Sequence, residues 1–321
     1  MTEQFSPSVS VIMPVRNAAG TLKSTIDSIL NQTYSGIIEI ILSIGPSNDQ
    51  TLIIAENLQE LDPRIKIIEN TSGKTAEGLN LAAQIASGQY FARVDSHCLL
   101  PENYVKLAVG RITETGAGNV GGIQKAVGKS IFQKSVAAAM SSKFGVGNSK
   151  FHYGGSEGPT DTVYLGFYNS ELFRELSGFD EELIRNQDYE LNIRIRKSGR
   201  LVWFTPELHV VYFPRRNLVS LAKQYFGYGT WKRKVILKHP ESLKLRQIIA
   251  PAFVSALLLS VILGLSFNNL LLIFPIIYAS AVILATLTIR GINLIVRLGL
   301  FVAFPIMHIF WGLGFLIGRG K

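Results

Sequence analysis

The part of the chain from Ile248 to Ile317 carries almost no charge, and this feature most strongly limits how the chain can fold. The only charged residues in that stretch are Arg290 and Arg297. It contains three apolar segments, at residues 248–267, 270–289 and 298–317. Each approaches the ~20 residues that a helix needs to cross a bilayer. The sequence therefore predicts a hydrophobic membrane anchor of about three spans over residues 248–321.

The basic residues beside these segments indicate which way the spans run. Arg290 and Arg297 place the loop after the second span on the inner face, because Lys and Arg accumulate on the cytoplasmic side. Arg319 and Lys321 then fall outside if the third segment crosses, so a re-entrant or interfacial placement of that segment stays open. A buried helical hairpin of a soluble protein is the alternative to an anchor, and three successive near-uncharged segments disfavour it.

The net charge of +9 is concentrated just before the anchor. Nine Lys or Arg residues and one acidic residue, Glu241, lie between Arg215 and Arg246. Anionic lipid headgroups attract such a segment by about 1 kcal/mol per basic residue. A nucleic-acid interface is the alternative, and it is disfavoured because no recognition motif accompanies the charge. We predict a membrane-interface segment over residues 215–247, with membrane lipids and no nucleic acid as partners.

Before residue 215, short apolar runs alternate with helical patterns. The strand-like runs are residues 9–15, 37–44, 64–69 and 89–95, and the helical patterns between them are residues 21–32, 49–59 and 75–87. Such alternation is typical of βαβ units in a parallel sheet. Later regular segments are helices over residues 131–142 and 187–197 and strands over residues 201–205 and 210–213, separated by Gly-rich stretches. We predict an α/β domain over residues 1–214, with acceptor-side loops in its second half.

Cysteine usage and the first residues limit the possibilities further. Cys98 is the only cysteine, which excludes an intramolecular disulfide and a zinc site built from several cysteines. Residues 1–10 are polar and contain no apolar signal-peptide region. We therefore expect the α/β domain to stay in the cytoplasm.

Polar residues that end the apolar runs are the first candidates for a ligand site. Ligands in open parallel sheets bind beyond the carboxyl ends of the strands. The first run ends in Arg16 and Asn17, and the fourth leads into Asp95, Ser96 and His97. In an extended chain, Asp95 and His97 project to the same side and can share a divalent ion. A turn-forming aspartate is the alternative for Asp95.

Several short motifs follow one another between residues 9 and 200. They are VIMPVRN at 11–17, EII at 39–41, SNDQT at 47–51, GLNLA at 78–82, ASG at 86–88, DSH at 95–97, SGFDE at 177–181 and NQDYEL at 186–191. In this order and spacing they resemble the family 2 glycosyltransferases, which have the nucleotide-sugar-binding α/β fold called GT-A. YFPR at 212–215 and QYFGYGTW at 224–231 look like the succinoglycan-type exopolysaccharide glycosyltransferases, which also carry a hydrophobic C-terminal anchor.

The resemblance implies a role for particular residues. Asp188 would be the general base that takes the proton of the acceptor hydroxyl. Asp95 and His97 would hold a divalent metal, Mn²⁺ or Mg²⁺, which neutralises the diphosphate charge. The residues implied on the donor side are Pro14, Arg16, Asn17, Ser47, Asp49, Lys74, Asn80 and Asp95. Those implied on the acceptor side are Gln187, Gln224 and Trp231.

Structural interpretations stay open for several of these residues. Asp188 also suits the first turn of a helix, where the dipole favours a carboxylate. Asp49 also suits a helix cap, and Asn80 a solvated helix face. Arg16 and Lys74 could pair with phosphate, but exposed basic residues in loops usually pair with nothing. Gln224, Tyr228 and Trp231 could instead lie at the membrane interface, where aromatic rings concentrate.

The chain departs from the family pattern in two places. IGPS at residues 44–47 stands where many members have an aspartate pair, so the carboxylate that usually contacts the uracil or ribose is missing. The nucleobase therefore stays open. His97 replaces the second aspartate of the metal-binding motif and leaves the choice between Mn²⁺ and Mg²⁺ open.

From these features we predict an inverting hexosyltransferase that uses a nucleotide sugar, with a UDP-sugar as the first expectation. The expected acceptor is a lipid-linked saccharide in extracellular or capsular polysaccharide biosynthesis, and the expected location is the inner membrane with a cytoplasmic catalytic domain. A processive polysaccharide synthase is one alternative, disfavoured by three short spans and by the lack of a clear Gln-x-x-Arg-Trp motif, since Trp231 lies seven positions after Gln224. A catalytically silent sugar-nucleotide-binding scaffold of an export complex is the other.

Overall fold

The computed structural model describes residues 6–320, except for the side chain of Arg246. Residues 1–5 and Lys321, which were used in the sequence predictions, lie outside the described residues. The chain forms two compact units. The first unit comprises the chain up to Lys125 together with the segment from Gly154 to Tyr212. The second unit comprises the segment from Ala126 to Tyr153 together with the chain from Phe213 onward.

An eight-stranded sheet forms the centre of the first unit. The strands are β1 Val9–Val15, β2 Ile37–Ile44, β3 Ile65–Glu69, β4 Tyr90–Arg93, β5 Asn119–Ala126, β6 Gly158–Pro159, β7 Tyr164–Asn169 and β8 Val202–Tyr212. Their order across the sheet is β3-β2-β1-β4-β7-β5-β8-β6. Strands β3, β2, β1 and β4 run parallel, whereas β7 is antiparallel to both β4 and β5.

Helices flank this sheet and make up most of the second unit. Those of the first unit are α1 Leu22–Leu30, α2 Thr51–Leu61, α3 Thr75–Ile85, α4 Tyr104–Thr115, α8 Ser170–Glu175 and α9 Gln187–Lys197. Those of the second unit are α5 Ile131–Met140, α6 Lys143–Val146, α7 Lys150–Tyr153, α10 Leu218–Lys238, α11 Leu245–Ser266, α12 Ile273–Thr288 and α13 Leu294–Ile317. The predicted α/β fold followed by apolar helices is confirmed.

The parallel strands form because their sequences suit burial on both faces of a sheet. Every residue of β1 is buried except Pro14, which is partly exposed. Strands covered on both faces read as continuous apolar runs, which is why β1 and β2 begin and end at the residues that the sequence predicts. The carboxyl ends of β1, β2, β3 and β4 consequently meet at one edge of the sheet.

After Asp95 the structure is more regular than the sequence predicts. The helix α4 and the strands β5 and β7 were not predicted, and the two short strands predicted over residues 201–213 form the single strand β8. Gly122 explains why β5 was read as a loop. A Cβ atom there would lie 1.6 Å from the Leu208 carbonyl oxygen of β8, so this close approach requires glycine inside the strand.

The second unit contains three helical stretches that are long and apolar enough to cross a membrane, Gln247–Ser266, Asn269–Thr288 and Leu294–Ile317. The third begins four residues before the predicted segment 298–317. The segment over residues 126–153, inside the predicted domain 1–214, packs on α13, where Ser135 Oγ donates to the Val296 carbonyl at 2.8 Å. The domain boundaries 1–214, 215–247 and 248–321 stay predictions.

Glu39 forms a buried polar cluster at the amino-terminal edge of the sheet, opposite the carboxyl ends of β1 to β4. Its Oε1 accepts hydrogen bonds from Ser10 Oγ at 2.6 Å and Ser87 N at 2.7 Å, and its Oε2 accepts from Lys66 Nζ at 2.5 Å. Burial alone would raise the pKa of this carboxyl. The hydrogen bonds from Lys66, Ser10 and Ser87 outweigh burial and lower the pKa from 4.5 to about 2.

We expect Glu39→Gln to lower the free energy of unfolding by about 2 to 3 kcal/mol at pH 7. Because the folded-state pKa is depressed, the stabilisation is fully present above pH 4.5 and is lost as the pH falls from 4.5 toward 2. Thermal unfolding of the detergent-purified variant should therefore differ from wild type at pH 7 and approach it only near pH 2, the folded-state pKa. Glu69→Gln, at an exposed position of β3, is the control. An equal difference at both pH values would contradict this account.

Candidate active site

The loops after β1 and β2 are joined to each other at the carboxyl edge of the sheet. The Asn17 amide donates to Ser47 Oγ at 2.9 Å, and the Asn48 amide donates back to Asn17 Oδ1 at 2.8 Å. Arg16 Nε donates to the Pro46 carbonyl at 3.1 Å. Asn17 has a φ of 48°, in the left-handed region that asparagine tolerates better than most residues. These bonds hold Arg16, Asn17 and Ser47 in one group.

The loop after β3 approaches the same group. Gly73 has a φ of 64°, and a Cβ atom there would lie 3.1 Å from Pro46 Cδ and 3.3 Å from Arg16 Nη1. Lys74 follows directly and is exposed. Pro14 lies in β1 opposite Ser43. The residues predicted on the donor side from the first three strands therefore lie at the carboxyl edge, as expected for a ligand site.

Asp49 connects the first two loops to helix α2. Its Oδ2 accepts from the Ala19 amide at 3.1 Å, and its Oδ1 accepts from both the amide and the hydroxyl of Thr51. The Thr51 hydroxyl contributes most to lowering the pKa of this carboxyl. Asp49 thus has the local role of a residue that satisfies amides at a helix start. Its predicted contact with a donor stays a prediction.

Arg93 joins the predicted metal ligand to the predicted base. It is the last residue of β4, and its side chain is 6% exposed. Its Nη2 donates to Asp95 Oδ1 at 3.1 Å, and its Nη1 contacts Asp188 Oδ1. The guanidinium therefore brings together two carboxylates that lie 93 positions apart in the chain. Arg93 was not predicted as a site residue, although a lone arginine at the end of an apolar strand was a visible signal.

The start of α9 places Asp188 beside this arginine. Asn186 precedes the helix with a φ of 63°, and Asp188 and Glu190 lie in the first turn, where the helix dipole favours negative charge. Glu190 is buried and pairs with Arg194 at 2.6 Å. Arg194 Nη2 also donates to the Gly178 carbonyl at 2.6 Å, which fixes the preceding turn. The helix position suits Asp188 structurally and also directs it to Arg93. Gln187 beside it is buried.

Asn80 holds the turn that precedes α9. Its Oδ1 accepts from the Phe179 amide at 2.8 Å, and its Nδ2 donates to the Phe179 carbonyl at 2.8 Å and to Glu181 Oε1 at 2.9 Å. The Arg93 guanidinium carbon lies 5.8 Å from the centre of the Phe179 ring. Asn80 therefore supports the wall on which Arg93 packs. Its donor contact, inferred from the resemblance, stays a prediction.

We expect Asn80→Ala to lower the free energy of unfolding by about 2 kcal/mol, because it leaves the Phe179 amide and carbonyl without these bonds. Asn80→Asp should be at least as destabilising, because its second oxygen would face the Phe179 carbonyl and the Glu181 carboxylate with no donor between them. Thermal unfolding of both variants, together with donor-binding affinity, checks this. Unchanged stability with much weaker donor binding would show that Asn80 acts on the donor and does not support the turn.

Asp95, His97 and Cys98 form a cluster after β4. One potential ligand atom from each lies within 4.8 Å of those of the other two. Burial, with the nearby Asp95 charge, raises the pKa of the Cys98 thiol to about 12, so this sulfur stays protonated at neutral pH. The exposed His97 imidazole and the Asp95 carboxylate fit a divalent cation that accepts nitrogen and oxygen ligands.

Gln224 and Trp231, predicted on the acceptor side, lie on α10 of the second unit. Both are buried. Gln224 Nε2 donates to the Tyr228 hydroxyl at 2.8 Å, and Lys234 Nζ lies 5.0 Å from the centre of the Trp231 ring. The structure therefore groups Asp95, His97, Asp188 and the donor-side residues in the first unit, and these two residues in the second.

The sheet and the side chains at its carboxyl edge define an α/β protein of the GT-A type, in which Asp95 and His97 follow the fourth strand. The family described as glycosyl transferase family 2 matches residues 10–176. The chain belongs to this family.

Two curated relatives align over most of the chain. The succinoglycan biosynthesis protein ExoA of Rhizobium meliloti (strain 1021) is 33% identical over 262 residues, which is 80% of this chain and 79% of that protein. A dolichyl N-acetyl-α-D-glucosaminyl phosphate 3-β-D-2,3-diacetamido-2,3-dideoxy-β-D-glucuronosyltransferase of Methanococcus voltae is 26% identical over 239 residues, covering 72% of this chain and 74% of that protein. The resemblance to exopolysaccharide enzymes is confirmed, and sugar transfer in glycan biosynthesis follows as the general activity.

A solved structure supports the fold independently. The mannosyltransferase PcManGT from Pyrobaculum calidifontis, solved with GDP-Man and Mn²⁺, superimposes with a TM-score of 0.59 at 17% identity. The match covers 94% of this chain and 86% of that one. Together with the three apolar helices of the second unit, it describes a GT-A fold in a membrane-associated chain.

Proposed function

We propose that this protein is an inverting, metal-dependent hexosyltransferase that extends a lipid-linked saccharide on the cytoplasmic face of the cell membrane. The observation that carries the proposal is the contact of one buried arginine, Arg93, with both Asp95 and Asp188. A nucleophilic substitution at an anomeric carbon needs a positively charged partner for the leaving diphosphate and a base for the attacking hydroxyl. Asp95 would hold the cation that meets the diphosphate, and Asp188 would be the base. Arg93 brings these two carboxylates together.

The cation would be held by the Asp95 carboxylate and the His97 imidazole. Both are ligand types that Mn²⁺ and Mg²⁺ sites use or tolerate, and the buried Cys98 thiol is outside the proposed ligand set. When bound, such a cation supplies positive charge to the diphosphate oxygens. The Mn²⁺ in the structure of the Pyrobaculum mannosyltransferase supports a divalent ion for this fold.

Asp188 would act as the base. The acceptor hydroxyl oxygen forms the new bond to the anomeric carbon while the bond from that carbon to the diphosphate oxygen breaks, and the hydroxyl proton passes to the Asp188 carboxylate. Arg93 holds Oδ1 of Asp188, so we assign the proton to Oδ2. A single displacement inverts the configuration at the anomeric carbon.

The donor and acceptor assignments are supported by different features. The joined loops of Arg16, Asn17 and Ser47 lie at the edge where a nucleotide binds in open sheets, and GDP-Man is bound in the Pyrobaculum structure. A UDP-sugar is our first expectation for the donor. The dolichyl-linked acceptor named for the Methanococcus relative and the apolar helices of this chain support an acceptor anchored in the bilayer.

Release of nucleoside diphosphate by the detergent-purified full chain tests this proposal. UDP-, GDP- and TDP-hexoses are supplied in turn with a membrane lipid extract, with Mn²⁺, Mg²⁺ or a chelator. We expect one donor to turn over, and only with a divalent metal. Tight donor binding without turnover across the panel would instead favour a sugar-nucleotide-binding scaffold.

A further inference from the structure

Helix α9 is joined to the sheet at two points on one of its faces. Asp188 and Asn192 are four positions apart, so their side chains project from the same face, about 6 Å apart along the helix axis. Asp188 contacts Arg93 at the end of β4. Asn192 Oδ1 accepts a hydrogen bond from Asn119 Nδ2, at the start of β5, at 2.7 Å. The first half of α9 therefore contacts two different strands.

These two strands are not neighbours in the sheet. The order β4-β7-β5 places one strand between them, so the two contacts lie about 10 Å apart across the sheet. A single side-chain contact would leave the helix free to turn about that point. Two contacts, separated along the helix and across the sheet, fix the direction in which the side chains of this face point.

Asn192 is fully buried, and both ends of its amide are hydrogen-bonded. Its Nδ2 donates to Thr162 Oγ1 at 3.1 Å, in addition to the bond that its Oδ1 accepts from Asn119. A buried amide costs free energy unless it is hydrogen-bonded, and an apolar side chain would fill such a position without this requirement. The amide adds direction, because a hydrogen bond weakens steeply when its geometry is disturbed.

The segment that contains Thr162 also contacts the loop after β4. Two positions after Thr162, the Tyr164 hydroxyl lies 3.6 Å from Cys98 Sγ, in the cluster that follows that strand. The pairing of β5 with β7 shifts by one residue just before Gly122, and Leu165 has a φ of 45° at this irregularity. Bulges of this kind redirect the side chains beside them and are common next to active sites. The segment thus connects α9 with the loop of the cluster.

We propose that Asn192 is a positioning residue for the base of the transfer reaction, an inference that rests on the role proposed above for Asp188. By joining α9 to Asn119 and Thr162, it sets the direction of the Asp188 carboxylate. Oδ1 then stays on Arg93, while Oδ2 points to the acceptor hydroxyl. A displacement of about 1 Å near reacting groups can lower a rate by about 10²-fold, so the loss of this support should be measurable in turnover.

A purely structural role for Asn192 predicts a different result. If the side chain only stabilises the fold, its removal lowers the amount of folded enzyme by the same factor whether or not Asp188 is present. If it acts through Asp188, its removal matters only while the carboxylate is there to be directed. Residues that act as one unit give non-additive losses, and independent residues give additive ones.

Single variants of the detergent-purified full chain give the first readout. Asn192→Ala removes both hydrogen bonds, and Thr162→Val removes one hydroxyl with little change of shape. We expect Asn192→Ala to lower kcat by about 10- to 100-fold and Thr162→Val by less, with the KM for the donor within about twofold of wild type. Thr162→Ser keeps the hydroxyl and should restore most of the turnover. Loss of donor affinity together with kcat would contradict a role confined to the base.

The double variant with Asp188→Asn gives the deciding readout. We expect Asn192→Ala to slow turnover strongly in the wild-type chain but by no more than about twofold in the Asp188→Asn chain. Equal fold-losses in both chains would overturn the positioning role. Melting curves identify a variant that does not fold, and Thr162→Val then serves for the same comparison.

Failure of the base assignment has a separate signature. If Asp188→Asn alone kept most of the wild-type turnover, Asp188 would not be the base, and the positioning role would fall with it. If Asp188→Asn were slow and the loss from Asn192→Ala were additive to it, the base assignment would stand and only the role of Asn192 would be overturned.

Discussion

Replacing Asp188 with asparagine is expected to lower the rate of sugar transfer by about 10²- to 10⁴-fold, the usual contribution of general-base catalysis. The amide has nearly the same shape and its oxygen can still accept the hydrogen bond from Arg93, but it cannot take the hydroxyl proton. Donor affinity and thermal stability should change little. Turnover at saturating donor, a donor-binding isotherm and a melting curve measure these three quantities separately.

The control for Asp188→Asn is Asp27→Asn. Asp27 is an exposed carboxylate on α1 that pairs with Lys23 at 2.8 Å, and its removal should leave turnover within about twofold because surface ion pairs contribute little. If Asp188→Asn retained most of the wild-type turnover, the base would have to be a different group. If it lost donor binding and stability together, the carboxylate would be acting mainly on the fold through Arg93.

Asp95→Asn is expected to weaken Mn²⁺ binding by at least about tenfold and to lower metal-dependent turnover by about 10²-fold. A neutral amide oxygen is a weaker ligand for a divalent ion than a carboxylate oxygen. The substitution also removes one of the two charges beside Arg93, so part of the loss in turnover can come from that side chain. Electron paramagnetic resonance of free Mn²⁺ measures the affinity without requiring turnover.

Cys98→Ala is the matched control for Asp95→Asn. Cys98 lies in the same cluster, but sulfur is a soft ligand that Mn²⁺ and Mg²⁺ do not favour, and this buried thiol lies 3.6 Å from the Tyr164 hydroxyl. Its replacement should therefore leave Mn²⁺ affinity within about twofold, whereas His97→Ala should lower it. Unchanged affinity in Asp95→Asn, or loss of affinity in Cys98→Ala, would contradict the assignment of the metal ligands.

Local pattern was sufficient to predict the parallel half of the sheet. Strands β1 and β2 were predicted to the residue because strands buried on both faces are continuous apolar runs, and α9 was predicted to the residue as well. The antiparallel half of the sheet was harder to predict. In β5, Gly122 is required because β8 approaches it closely, and β8 lies more than eighty positions later in the chain. The local sequence around Gly122 does not show this contact.

The same limit applies to the candidate site. Asp95, His97 and Asp188 could be selected from short motifs, but Arg93 gains its importance from a contact with Asp188, 95 positions away. Asn80 similarly supports a turn 99 positions away. Contacts of this kind depend on the tertiary fold, so the residues that hold a site are harder to predict than those that end a strand.

Transfer of labelled sugar into a lipid-extractable product tests the central claim most directly. The donor that turns over is supplied with a radiolabelled hexose to the full chain in membranes, and the organic phase is counted for wild type, Asp188→Asn and Asp27→Asn. We predict metal-dependent label in the lipid phase for wild type and Asp27→Asn, and a loss of about 10²-fold or more for Asp188→Asn. Label that stays in the aqueous phase, or that reaches lipid equally well with Asp188→Asn, would contradict the account.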